Sequence, residues 1–310
     1  MPTGSLTTRQ VIDIAAAYMK RLAGHQFDVL TVAKPVSPDA AVNLSKVISK
    51  LSPLVGNMIE FNTVEYLDDK PEFSGFGHWR RQDPDFPDTI FEGSVSPTPG
   101  FEIKAWFPLA TEITARFRDS QNHFRDDRTY VALLAWLPEH LIYGKPYILD
   151  VVAVSGASVA KARDEHYHNP PDYLVLEPED TQARTRNLQQ TNTNGHKWQG
   201  TAEQFREAQQ IVAGWGPAGR QYLPTPEYQH LVRQLYTGFP YRLDTNYAKL
   251  DRIVHPEIEA FKSHVLNIQV NGMTVREWYQ VIASKDDALI KRALQQHLGI
   301  TAEDAERLRR

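Results

Sequence analysis

The chain has no cysteine among its 310 residues. Disulfide staples, thiol nucleophiles and cysteine-ligated zinc are therefore excluded, and a reducing cytosol is compatible with the composition. No run of about 18 apolar residues occurs, so the sequence offers no membrane-spanning helix. Met1 to Leu22 lacks the long apolar core of a signal peptide and reads as an amphipathic helix instead. Positive charge is not in surplus either: 34 Lys and Arg stand against 38 Asp and Glu, a net charge of −4. A protein that holds polyanions by bulk charge is expected to be strongly basic, so any nucleic-acid contact has to come from a local patch. Internal repeats and low-complexity linkers are absent as well.

What remains is the composition of a folded globular chain, 41% hydrophobic and 23% charged. Its length suits one large domain or two small ones. Val11, Ile12, Ala15, Tyr18, Met19 and Leu22 fall at near-helical spacing behind Thr7 or Thr8 as a cap. Further helices are expected at about 39–51 and 54–67. Residues 68–99 are rich in Gly, Pro and Asp and suggest short strands between turns, Thr89-Ile90-Phe91 among them. Thr129 to Trp136 is an unbroken apolar run, the pattern of a central strand buried on both faces. Tyr147 to Val154 and Tyr173 to Leu176 are further strands, with a helix at 158–167 between them. Residues 181–200 read as a polar loop. Beyond residue 200 the signals are mainly helical, with Asn271-Gly272 as a tight hairpin turn. These elements predict an α/β (α+β) fold. A core over 1–200 is followed by a mainly helical 201–310 that forms an extension or packs into a single domain.

The segment with the strongest chemical content is Pro87-Asp88 followed, after thirteen residues, by Glu102-Ile103-Lys104. Phe101 to Phe107 alternates as a strand does, which puts Glu102 and Lys104 on one face and Phe101, Ile103 and Ala105 on the other. Two carboxylates and an amine at this spacing suit a divalent cation held against a phosphate. Mg²⁺ prefers oxygen ligands and keeps several waters, so Asp88, Glu102 and the carbonyl of Ile103 make a sufficient protein share. Lys104 is then placed to orient or deprotonate water, or to stabilise charge on the phosphate. Glu60, on the preceding helix, is an outer carboxylate. Asp85, in a second Pro-Asp pair, and Asp83 compete with Asp88; the strand that begins at Thr89 favours Asp88. The bland account is a turn followed by a solvent-exposed strand face.

Pro87-Asp88…Glu102-Ile103-Lys104 resembles the signature of the PD-(D/E)xK nuclease superfamily, and Gly56 to Glu60 is similar to the Glu-bearing helix ahead of its sheet. Within it the chain most resembles Type II restriction endonucleases. The motif match covers Glu60 and residues 87–104, and the similar element order covers roughly 40–180. The resemblance implies a restriction-endonuclease-like central mixed sheet flanked by helices. It also implies Mg²⁺-dependent cleavage of double-stranded DNA at a short site, a homodimer, and a prokaryotic cytoplasmic setting.

Base reading is assigned to the polar stretch holding Arg184, Arg186, Asn187, Gln189, Gln190, Asn192, Asn194 and Lys197. Arg pairs with guanine, and Asn or Gln with adenine, in the major groove. Lys161 and Arg163 are candidates to approach phosphate. Arg116, Arg118, Arg125 and Arg128 are balanced locally by Glu112, Asp119, Asp126 and Asp127, so ion pairs are the simpler account of them. His166 and His168 have ligand-type side chains but no evident third partner. Two further functions share these features: a structure-specific repair or junction nuclease, and a DNA-binding module without catalysis.

Overall fold

The computed structural model describes residues 6–82, 86–110, 112–113, 115–117, 121–124, 127–177, 194–223, 225–244 and 246–301. The first half contains α1 (Thr8–Lys20), α2 (Pro38–Val47), α3 (Ser52–Asp68), β1 (Gly77–Arg81), β2 (Thr89–Gly93), β3 (Gly100–Trp106), β4 (Thr129–Pro138), β5 (Pro146–Ser155) and α4 (Gly156–Tyr167). Then follow β6 (Tyr173–Leu176), β7 (Asn194–Trp198), α5 (Ala202–Ala213), α6 (Pro226–Gly238) and β8 (Tyr241–Asp244). The chain ends with α7 (Pro256–Asn267), β9 (Gln269–Val270), β10 (Met273–Thr274), α8 (Val275–Ala283) and α9 (Asp287–Leu298).

The central sheet has five strands in the order β1-β2-β3-β4-β5. It is mixed: β3 runs parallel to β4, and every other neighbour is antiparallel. β4 is buried at all ten positions, as its unbroken apolar run requires. One face carries Phe101, Ile103, Ala132 and Leu134 and is covered by α1, α3, α8 and α9. The other carries Trp106, Val131, Leu133 and Ala135 and is covered by α4 and α7. Helices on both faces of a mixed sheet make an α/β architecture of three layers.

Local chemistry sets the helix starts. Thr7 caps α1 in a capping box with Gln10, as the Thr-x-x-Gln spacing predicts. The hairpin at Asn271-Gly272 forms between β9 and β10.

A smaller antiparallel sheet, ordered β6-β7-β8, packs one face on α5 and α6 around Leu174, Val212, Val232 and Leu235. Here the sequence reading needs correction. Residues 194–198, expected within a loop, form the middle strand, paired to both β6 and β8. The helices beyond residue 200 thus divide: α5 and α6 serve the small sheet, whereas α7, α8 and α9 bury against the central one. No helix among the described residues is long and apolar enough to cross a membrane.

Candidate active site

β2 and β3 pair only through Thr89 with Phe101 and Ile90 with Gly100. Before Thr89 the chain turns away at Pro87-Asp88, so the β3 edge beyond Phe101 faces no strand among the described residues. Backbone N–H groups on such an edge need other acceptors. The Ile103 N–H donates to Asp88 Oδ2 at 2.7 Å. Two residues on, the Ala105 N–H acts on the Glu60 carboxylate and opposes the rise that burial imposes. A strand residue presents its N–H and C=O to the same neighbour, so the Ile103 carbonyl lies on this open edge too.

Glu102 and Lys104 emerge from the opposite face to Ile103, as the alternation requires. Lys104 Nζ lies 2.6 Å from Glu102 Oε1 and 3.0 Å from Asp88 Oδ2, and so bridges the two acids. The side chain of Glu102 is only 6% exposed and that of Lys104 18%. Burial alone would lower the Lys104 ammonium, but the pull of Glu102, Asp88 and Glu60 overrides it and holds the group above its ordinary value. Burial pushes the Glu60 carboxyl up to about 7; Asp88 adds to this, while Lys104 and the Ala105 N–H oppose it. Asp88, Glu102 and Lys104, singled out by their spacing, and Glu60, from the preceding helix, thus come together in one cluster.

The helix that carries Glu60 is legible in the sequence; the other supports of this cluster are not. α3 is seated by Val55, Ile59, Val64 and Leu67 and tied to β1 by the Trp79 N–H on Asp68 Oδ1 at 2.8 Å. Gln82 clamps the Pro87-Asp88 turn: its N–H donates to the Asp88 carbonyl at 3.1 Å and its Nε2 to the Pro87 carbonyl at 2.7 Å. Gly100 lets Pro87 approach β3, since a Cβ there would lie 2.5 Å from Pro87 Cγ. Of the supports outside α3, only Gly100 carries a sequence signal, as part of the Pro99-Gly100 turn dipeptide.

Whether a divalent cation suits the site turns on its donors and charge. Among the described residues no three His, Cys, Asp or Glu side chains form a metal-holding group. Two carboxylates and an edge carbonyl do provide the all-oxygen donor set that Mg²⁺ takes, with waters completing the shell. Three carboxyl groups stand against the Lys104 ammonium, so negative charge is in excess when all are ionised. Both observations fit a cation at Asp88, Glu102 and the Ile103 carbonyl.

Elsewhere the assignments fare differently. Arg184, Arg186, Asn187, Gln189, Gln190 and Asn192, together with Asp83, Asp85, Arg118 and Arg125, lie outside the described residues. Asn194 and Lys197 are exposed on β7. Arg163, expected near phosphate, is fully buried instead. Its Nε donates to Asp164 at 2.9 Å and its guanidinium to Glu177 at 2.6 Å. Glu112 pairs with Lys249 at 2.7 Å and Arg252 at 3.4 Å, partners far away in sequence. His168 joins Tyr228 through Nδ1 at 2.9 Å. No protein-family model, curated protein or solved structure matches the chain.

Proposed function

We propose that the protein is a Mg²⁺-dependent endonuclease of the PD-(D/E)xK kind, acting on double-stranded DNA in the manner of a Type II restriction endonuclease. The observation that carries this reading is the convergence of Asp88, Glu102 and Lys104 on one open strand edge, with Glu60 beside them. A mixed central sheet between helix layers is consistent with a restriction-endonuclease-like core.

The roles follow from the environments. Asp88, Glu102 and the Ile103 carbonyl are the residues that would hold Mg²⁺. When bound, the ion supplies Lewis acidity and lowers the pKa of its water. Lys104, kept charged by its neighbours, acts as an electrostatic stabiliser of a phosphate oxygen rather than as a base. Glu60, with its carboxyl near neutrality, is matched to accept a proton from the attacking water. The water oxygen bonds to phosphorus as the bond to the leaving sugar oxygen breaks, and that oxygen takes up a proton. A homodimer suits a palindromic site, because a two-fold protein matches a two-fold sequence.

The test is incubation with duplex DNA of varied sequence and Mg²⁺, for which discrete, reproducible fragments are expected. Glu102→Gln and Lys104→Ala should abolish cutting while binding persists in Ca²⁺. Absence of cleavage on every duplex, modified bases included, defeats the reading. A DNA-binding module without catalysis is the second reading, favoured by the Lys104 contacts themselves, since a structural ion-pair cluster makes the same bonds. Unchanged cutting in both variants would remove the assigned site.

A further inference from the structure

The small sheet has two unlike faces. Leu174, His196, Trp198 and Tyr241 point toward α5 and α6. The opposite face carries Tyr173 and Val175 from β6, Gly195 and Lys197 from β7, and Arg242 and Asp244 from β8. Part of it is covered. Tyr247 lies against Gly195, where a Cβ would come within 2.6 Å of its ring, and Tyr173 donates its hydroxyl to Asp244 at 2.8 Å. Among the described residues the other end is open. There Tyr173, Lys197 and Arg242 stand in one row, each paired with the next across the ladder.

Like charges directly opposite one another in a sheet are destabilising. Lys197 and Arg242 are nevertheless neighbours, both are exposed, and neither joins an ion pair among the described residues. Beside them lies a cleft of about 340 Å³ lined by His166, Tyr167, Asn169, Asp172, Tyr173 and Lys197, with Trp198 at its edge. The Tyr167 and Tyr173 rings, 4.8 Å apart, form its wall. Asp172 is its one carboxylate, and it accepts the Asn169 amide at 3.2 Å.

From this juxtaposition we infer that the open end of the small sheet is a DNA-strand site: Lys197 and Arg242 together hold a backbone phosphate, and the tyrosine wall takes the adjoining nucleotide. Paired unneutralised cations fit a phosphodiester, and an aromatic wall accepts any base because every base has a π-face. This rests on the nuclease reading for its choice of polyanion and adds a contact surface on a separate sheet. Arg242 and the two tyrosines had no role in the sequence reading.

The experiment follows the anisotropy of a fluorescein-labelled single-stranded DNA oligonucleotide of mixed sequence in Ca²⁺ at a series of salt concentrations. On a single strand each phosphate contact contributes about 0.7 to the slope of log affinity against log salt. Lys197→Ala and Arg242→Ala should each weaken binding, and the two together should lower that slope by about 0.7, the share of the one phosphate they hold. Tyr167→Leu should weaken binding roughly tenfold, within the range of one lost base stack, at an unchanged slope. Lys145→Ala, whose lysine lies between β4 and β5 and pairs with Asp28, serves as the control and should bind as wild type does. Lys197→Arg, which keeps the charge, should bind as wild type does, separating charge loss from misfolding. Wild-type affinity and slope in both alanine variants overturn the site, as does a wild-type protein that binds no single strand. Lys197- and Arg242-dependent binding without any cleavage would leave this site standing while the nuclease reading fell.

Discussion

The Ile103 N–H and Asp88 Oδ2, fifteen residues apart in the chain, are joined at 2.7 Å on the edge of β3 that β2 leaves uncovered. There an acid takes the position that another strand would otherwise fill. Asp88 is therefore anchored by the backbone of the strand that carries Glu102 and Lys104.

Removing Lys104 leaves largely buried carboxylates facing one another. Lys104→Ala should lose about 3 kcal/mol of stability, the range for breaking a buried pair from one side. A divalent cation should restore more of the melting temperature in this variant than in wild type, because the amine no longer competes for the acids. Thermal denaturation with EDTA and with Mg²⁺ measures both effects. Equal shifts in the two proteins would argue against a cation site at these carboxylates.

Glu60 should impose a pH dependence. Its folded-state carboxyl is raised from 4.5 to about 7, so the folded protein holds this proton more tightly than the unfolded chain does. The associated stability is complete below about pH 4.5 and disappears as pH rises through 7. In Glu60→Gln that loss should vanish, a difference on the order of 2 kcal/mol across the window. Urea titrations at pH 5 and pH 8 provide the comparison.

Gly100→Ala should push Pro87 off β3, since the added methyl would meet Pro87 Cγ at 2.5 Å. The expected cost is about 1–3 kcal/mol, as for overpacking elsewhere. Any cutting activity should fall as well, because Asp88 moves with Pro87. A variant as stable and active as wild type would show that this contact does not position Asp88.

Arg163→Ala should be among the most damaging single changes outside the candidate site. It strands Asp164 and Glu177 in the interior, at a cost of about 3–5 kcal/mol. Arg163→Lys should rescue little, because one ammonium cannot reproduce bonds made from both Nε and a terminal guanidinium nitrogen. Chemical denaturation of both variants tests this.

Where one stretch of chain carried its own instructions, the sequence was readable. A threonine at 7 or 8 marks the start of α1, and the unbroken run from Thr129 marks a strand buried on both faces. The spacing of Asp88, Glu102 and Lys104 singled out residues that do converge. What stayed hidden depends on contacts between distant segments. Asn194 to Trp198 contains Gly, His and Lys, and is a strand because β6 and β8 flank it. Arg163 looked like a surface cation because its neutralising Glu177 comes from another element. Nothing in the sequence around Gln82 announces that it clamps Pro87 and Asp88, since the turn it braces has no local partner of its own.

Leu176 and Asn194 are direct partners in the β6–β7 ladder, with Glu177 next in the chain and fastened to Arg163, Tyr222 and Gln229. The polar stretch 178–193 therefore leaves and re-enters the small sheet at adjacent points. A short Gly-Asn turn spliced between Glu177 and Asn194 should keep the ladder while deleting Arg184, Arg186 and their amide-bearing neighbours in one step. That excision would separate whatever those side chains recognise from the framework and chemistry of the rest.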